Sequence, residues 1–262
     1  MTMVSVGQRV SCRVLGELKL QVDGAPVEVR GVRLRRLLTA LVLADGHPVA
    51  DDELADLLWP EKAPADVLKG LRVLVWRLRS ALGSAGDCLQ RTPSGYCLVV
   101  ASDHRRFADL VASGLYRVSI RDSVGGVQEL GEALALWRGE PWQDLAAVGR
   151  VDGARARLVE LRELALEERE AGRLAMGNGW VAVRSLTRLV ADSPYRERRW
   201  ELLARGYLEI GQPDRAYAEL RRFRTLLADG LGLDPGPTLT ALERRLGESA
   251  TVVPRRVAWR WR

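Results

Sequence analysis

At 262 residues the chain is long enough for two ordinary domains, and 47% hydrophobic residues are ample for buried cores. No apolar run reaches the ~18 residues of a membrane span, and residues 1–11 hold no long apolar segment, so neither a membrane helix nor a signal peptide is expected. The net charge of +6 sits mostly in residues 251–262, with four arginines and no acid, so bulk charge does not argue for a polyanionic partner and any such site must rest on local clustering.

Arg13–Val22 alternates apolar and polar residues, breaks at Gly16, and runs into Asp23-Gly24, a two-residue hairpin signal. Pro26–Val29 continues the alternation. Three short antiparallel strands are predicted, covering one side of the helices that follow. Gly31 opens a helix over Val32–Ala44, with Leu34, Leu37, Leu38, Leu41 and Val42 facing inward. Asp51 or Asp52 caps a second helix whose apolar face is Leu54, Leu57, Leu58 and Trp59. Trp59-Pro60 ends it.

The next helix, 66–82, dominates this half. Leu68, Leu71, Val75, Leu78 and Leu82 recur as one apolar face. The opposite face carries Lys69, Val73, Trp76, Arg77 and Ser80, flanked by Arg72 and Arg79. No acidic residue stands between Asp66 and Asp87; Asp66 suits the positive end of the helix dipole, and Gly83 stops the helix. Such a helix is either a core helix with a solvated basic face or a helix built for a DNA groove. Leu89–Val100 then reads as strand, Pro-Ser-Gly turn, strand. Helix followed by hairpin is the pattern of a winged helix-turn-helix, an α+β domain over residues 12–100.

Residues 103–248 change character to amphipathic helices punctuated by glycine and proline: His104–Ser113, Val124–Trp137, Val151–Met176, Trp180–Ala191, Arg196–Ile210, Pro213–Leu231 and Thr238–Leu246. The small/aromatic spacing of Ala204–Leu208 and Gln212–Leu220 resembles paired tetratricopeptide helices, which bury their stripes only against one another. An all-α, TPR-like domain is expected, followed by a disordered basic tail over 249–262.

Cys12, Cys88 and Cys97 are odd in number and lack CxxC spacing, which fits reduced core residues of a cytoplasmic protein. His47 and His104 lie in no metal-ligand spacing. The glycine clusters at 125–126, 177–179 and 230–232 precede no Lys-Ser/Thr and read as helix ends. With no GxSxG or HExxH, neither catalysis, a cofactor nor a metal is expected.

Val14-Leu-Gly16, Leu57-Leu-Trp59, Arg77–Leu82 and Gly95-Tyr96 occur in the first part. Glu132–Pro141, Arg196-Glu-Arg198 with Trp200, and Leu231-Gly-Leu-Asp-Pro-Gly-Pro237 occur in the second. On these motifs the chain resembles the Streptomyces antibiotic regulatory protein family, in which an OmpR-like winged helix precedes a bacterial transcriptional activation domain. The resemblance covers residues 13 to about 246. It implies a promoter-binding activator of a secondary-metabolite cluster that binds direct repeats as a homodimer on double-stranded DNA and engages RNA polymerase holoenzyme. No nucleotide-binding, sensor or receiver segment is found, so no built-in ATP or phosphorylation switch is expected. Where the family usually carries Asn, Thr and Gln early in the recognition helix, Lys69, Gly70 and Arg72 stand here, and Trp76 replaces a small polar residue, so a target sequence does not carry over.

Lys69, Arg72 and Arg77 are the main candidates for DNA contact. Arginine can bridge guanine O6 and N7 in the major groove; either cation can hold phosphate. Val73 either meets a thymine methyl or is simply exposed. Trp76 either lies against sugar and thymine methyls or packs on the hairpin. Arg91 reaches either DNA or an acidic neighbour. Arg33, Arg35 and Arg36 are phosphate clamps or ordinary surface residues. Trp137, Trp142, Trp180 and Trp200 read most simply as packing. Two other functions compete: a protein-interaction adaptor that no longer reads DNA, and a promoter-blocking repressor.

Overall fold

The computed structural model describes residues 9–145 and 151–251. They are mostly helical, with a small β region toward the N-terminus followed by helices. The predicted strands form as β1 (Val10–Arg13), β2 (Lys19–Val22) and β3 (Ala25–Val27), all antiparallel, with Cys12 opposite Leu20 and Leu20 opposite Val27. Asp23 and Gly24 both take positive φ, 50° and 79°, as the two-residue turn requires. A fourth strand was not legible in the alternation: β6 (Ala101–Ser102) pairs in parallel with β1, so the sheet order is β3-β2-β1-β6.

Between them lie α1 (Val32–Leu43), α2 (Asp51–Leu58), α3 (Val67–Leu82) and the hairpin β4 (Leu89–Thr92)–β5 (Gly95–Leu98). The cap of α2 is Ala50, not Asp51 or Asp52, and makes no side-chain cap bond; the acids fall in the first turn. Asp66 does cap α3, accepting from the Lys69 backbone N–H at 2.8 Å. Asp66→Ala is therefore expected to cost about 1 kcal/mol in chemical denaturation; a loss below ~0.3 kcal/mol would mean that water replaces the cap at no cost.

The remaining helices are α4 (Asp103–Ser119), α5 (Ser123–Ala135), α6 (Asp152–Ala175), α7 (Gly179–Asp192), α8 (Glu197–Glu209), α9 (Pro213–Leu231) and α10 (Pro237–Thr251). Of the tail expected from residue 249, α10 continues to Thr251 and 252–262 lie outside the described residues. No helix among the described residues is long and apolar enough to cross a membrane. The three cysteines are free and buried.

The chain divides into two compact units. One comprises the residues up to Ser113 with Gly131–Glu163; the other comprises Gly114–Leu130 with the residues from Leu164 onward. In the first, Leu37, Leu38 and Leu41 of α1 meet Leu54 and Leu58 of α2, Leu71, Val75 and Leu78 of α3, and the sheet residues Cys12 and Leu20. Trp142 joins this core at 1% exposure. Its backbone N–H donates to Val14 O (3.1 Å), and Asp103 accepts from the N–H groups of Val14 (2.7 Å) and Leu15 (3.2 Å) and from Arg138 (3.1 Å). A buried carboxylate so satisfied closes the open end of β1.

In the second unit α7 packs on α8, α8 on α9 and α9 on α10. Trp200 is buried, stacks on Phe223 with ring centroids 5.2 Å apart, and donates to Pro194 O. Glu167 accepts from Arg196 (2.6 Å) and from the buried Arg199 (3.2 Å), so a buried charge is paired rather than bare. Trp180 departs from the packing expected of the tryptophans: it is 67% exposed.

Candidate nucleic-acid interface

The candidate site is the outward face of α3. Its buried side is Leu71, Leu74, Val75, Leu78 and Leu82. This corrects the predicted stripe at its first position: Leu68 is 49% exposed, and Leu74 takes its place in the core. Rotating 100° per residue from that core places Lys69, Val73, Trp76 and Ser80 along the ridge farthest from it, with Arg72 and Arg77 on its two flanks. All six are exposed.

Gly70 stands in the first turns of this helix. A Cβ there would meet the Trp59 ring at 3.1 Å and 3.3 Å and Pro64 Cγ at 3.5 Å. Glycine costs helix stability relative to alanine, and in return Trp59 lies directly on the α3 backbone. The glycine, one of the departures from the family pattern, thus has a packing cause.

Neither Lys69, Arg72 nor Arg77 makes an ion pair among the described residues. Trp76 is 68% exposed and Val73 is 50% exposed. The hydroxyl of Ser80 donates to the Trp76 carbonyl (2.9 Å), so it is spent within the helix. Arg79, on the hairpin side, donates twice to Leu89 O, at 3.1 Å and 2.9 Å, and ties α3 to β4.

Arg91 is engaged elsewhere. It donates to Asp51, and its guanidinium lies 4.6 Å from the Tyr96 ring centroid. The Asp51 hydrogen bond holds the Arg91 pKa above its ordinary value. The acidic neighbour that the sequence allowed for Arg91 is thus present as Asp51. Asp51, Asp52 and Glu53 sit in the first turn of α2, and Asp51 and Asp52 line a hollow with Arg91 and the turn residues Pro93 and Ser94. The hairpin side of α3 therefore carries more acids than cations, Asp51, Asp52 and Glu53 against Arg91, and positive charge lies on α3 itself and on its other flank.

That other flank was only half visible in the sequence. Arg33 and Arg36 of α1 share a cleft with Arg30, Lys62, Trp59 and Arg77. Arg36 Nε is buried there without a hydrogen-bond partner. Arg35 is not in it; it donates to Asp144 at 2.6 Å. The spacing of Arg33 and Arg36, one helical turn apart, was the available signal. Their meeting with Arg77 is long-range and had none. The prolines of 60–64 are exposed with the rest of that loop.

No group of three or more His, Cys, Asp or Glu among the described residues has the arrangement of a metal site. The face can present cations and two apolar side chains to a partner.

Residues 102–246 match the model of the bacterial transcriptional activator domain. The chain is 33% identical over 250 residues to the transcriptional regulatory protein EmbR of Mycobacterium tuberculosis, covering 92% of this chain and 64% of that one. It is 31% identical to the transcriptional regulator RedD of Streptomyces coelicolor, covering 91% of this chain and 70% of RedD. A solved structure of M. tuberculosis EmbR in complex with a low affinity phosphopeptide superposes with a TM-score of 0.87 at 32% identity, covering 92% of this chain and 66% of that one. The chain thus spans just under two thirds of the length of the EmbR regulators it matches.

Proposed function

The chain belongs to the Streptomyces antibiotic regulatory protein family of transcriptional regulators, and from there we propose that it is a sequence-specific DNA-binding activator of a secondary-metabolite gene cluster, acting in the cytoplasm. Residues 12–100 act as an OmpR-like winged helix-turn-helix, with α3 entering the major groove and the β4–β5 hairpin as the wing. Residues 103–248 act as the activation domain, its helices stacking in TPR-like pairs.

One observation carries this reading. α3 turns Lys69, Arg72 and Arg77 outward, free of ion pairs among the described residues, on a helix with no acidic residue from 67 to 86. A solvated face of a balanced protein would ordinarily interleave acids, as most helices of the second unit do. A polyanion is the partner that such a face is built to meet. The Arg33–Arg36–Lys62 cleft extends the positive charge beyond the groove, where a backbone phosphate would lie. Because Arg91 is held by Asp51, the wing contributes shape more than charge. Two protomers bind direct repeats side by side about one DNA turn apart, roughly 10–11 bp, and the helical domain with the exposed 60–64 loop presents a surface to RNA polymerase holoenzyme.

Run-off transcription with purified RNA polymerase on a promoter carrying the selected site separates the readings. Activation predicts a several-fold increase in transcript that disappears when the site is scrambled. A fall in transcript with binding intact would make the protein a repressor. The adaptor reading is favoured by one observation, the acid-rich hairpin side; it predicts that site scrambling changes nothing.

A further inference from the structure

We propose that α3 reads its DNA site through the 5-methyl groups of thymine, with Val73 and Trp76 as the reading side chains; this deepens, and rests on, the DNA-reading function above. The ridge of α3 farthest from the core is Lys69, Val73, Trp76 and Ser80. At its centre stand the two apolar residues, 50% and 68% exposed. Scattered exposed apolar side chains need no explanation. These two lie one turn apart, centred on a face whose other members are three cations and Ser80, with no acid on the helix.

What can the centre of that face recognise? Valine neither donates nor accepts a hydrogen bond, and the Ser80 hydroxyl is already given to the Trp76 carbonyl. The charged base-edge donors are then Lys69 at the N-terminal end of the ridge and Arg72 and Arg77 on the flanks, all able to reach guanine or phosphate. The one apolar feature on the major-groove edge of DNA is the thymine methyl. Valine, branched at Cβ, holds essentially one χ1 rotamer in a helix, so burying it against a methyl costs little entropy. The positive flanks fit a polyanion and argue against an apolar protein surface as the occupant. The division of labour is arginine at the edges and methyl contact between them.

The test uses full-length protein and the site that it selects from random duplexes. Each thymine is replaced in turn by deoxyuridine, which removes the 5-methyl group and leaves Watson–Crick pairing intact. Wild type is expected to lose about fourfold in affinity for each contacted methyl. Val73→Ala, Trp76→Ala protein, confirmed as folded by its melting transition, is expected to bind the thymine site more weakly and to treat thymine and deoxyuridine alike. Equal wild-type affinity for both sites would overturn the proposal, as would full discrimination by the double variant. Failure to select any sequence would remove the DNA-reading function itself, which is a separate result.

Discussion

Gly95→Ala is expected to be the most damaging single-methyl change in the first unit, costing about 3–5 kcal/mol or more. Gly95 opens β5 at φ +142°, a conformation that an L side chain rarely adopts. Strain alone would cost of order 1–3 kcal/mol. Space is the larger problem. A Cβ would stand 1.9 Å from Val49 O, 2.5 Å from its carbonyl carbon and 2.9 Å from Ala50 Cα, all backbone atoms. Val49 and Tyr96 exchange backbone hydrogen bonds at 2.8 Å and 3.0 Å, which pin the hairpin to the segment before α2. The overlap can be relieved only by breaking that bridge. Gly24 supplies the control: φ is also positive, at +79°, but a Cβ would meet nothing within 4 Å. Gly24→Ala should cost only about 1 kcal/mol. Urea unfolding of both variants checks the pair. Costs within about 1 kcal/mol of each other would show that the hairpin yields easily, and that its position beside α3 is loosely held.

The second large effect is on binding. Arg72→Ala with Arg77→Ala removes both flanking cations of α3, and neither has an ion-pair partner among the described residues to lose. Stability should change by less than about 0.5 kcal/mol, as for surface residues generally. Affinity for the selected site should fall roughly 30-fold or more, since a bidentate arginine–guanine pair is worth about 1–3 kcal/mol. A salt series then assigns the arginines. If they hold phosphates, binding weakens on every sequence and the slope of log K against log salt falls by roughly 0.9 for each arginine removed. If they read guanines, specificity relaxes and the slope changes less. Unchanged affinity would place DNA contact elsewhere than on α3.

The parts of the fold legible in the sequence were those written in short-range pattern. α3 follows from an uninterrupted 3.6-residue stripe between an aspartate cap and a glycine stop, and Asp23-Gly24 marks its hairpin. The error at Leu68 is of the same origin. Periodicity gives the direction of a face only to within a residue or so, and the first turn of α3 lies at the edge of the core, beside the hairpin turn, so that Leu68 is left in the open hollow with Arg91. What the sequence could not carry is pairing at long range. Arg91 finds Asp51 forty residues away, and Arg35 finds Asp144 at a separation of 109. Both were candidate DNA contacts on local grounds, and both have ion-pair partners that no window of sequence contains. Trp142 is similar: its burial in the first unit follows from backbone bonds to the end of β1, not from its own helix pattern. Lys69, Arg72 and Arg77, with Arg33 and Arg36 beside them, are among the cations that these pairings did not consume.

The most direct measurement is selection of binding sites from random DNA duplexes by full-length protein, in parallel with the Arg72→Ala, Arg77→Ala variant. A winged helix reading promoters in tandem predicts enrichment of a repeated element at about 10–11 bp spacing, absent from the variant's pool. If the wild-type pool shows no enriched sequence, and binding is either missing or only salt-sensitive, α3 does not read DNA and the protein works through its helical domain alone.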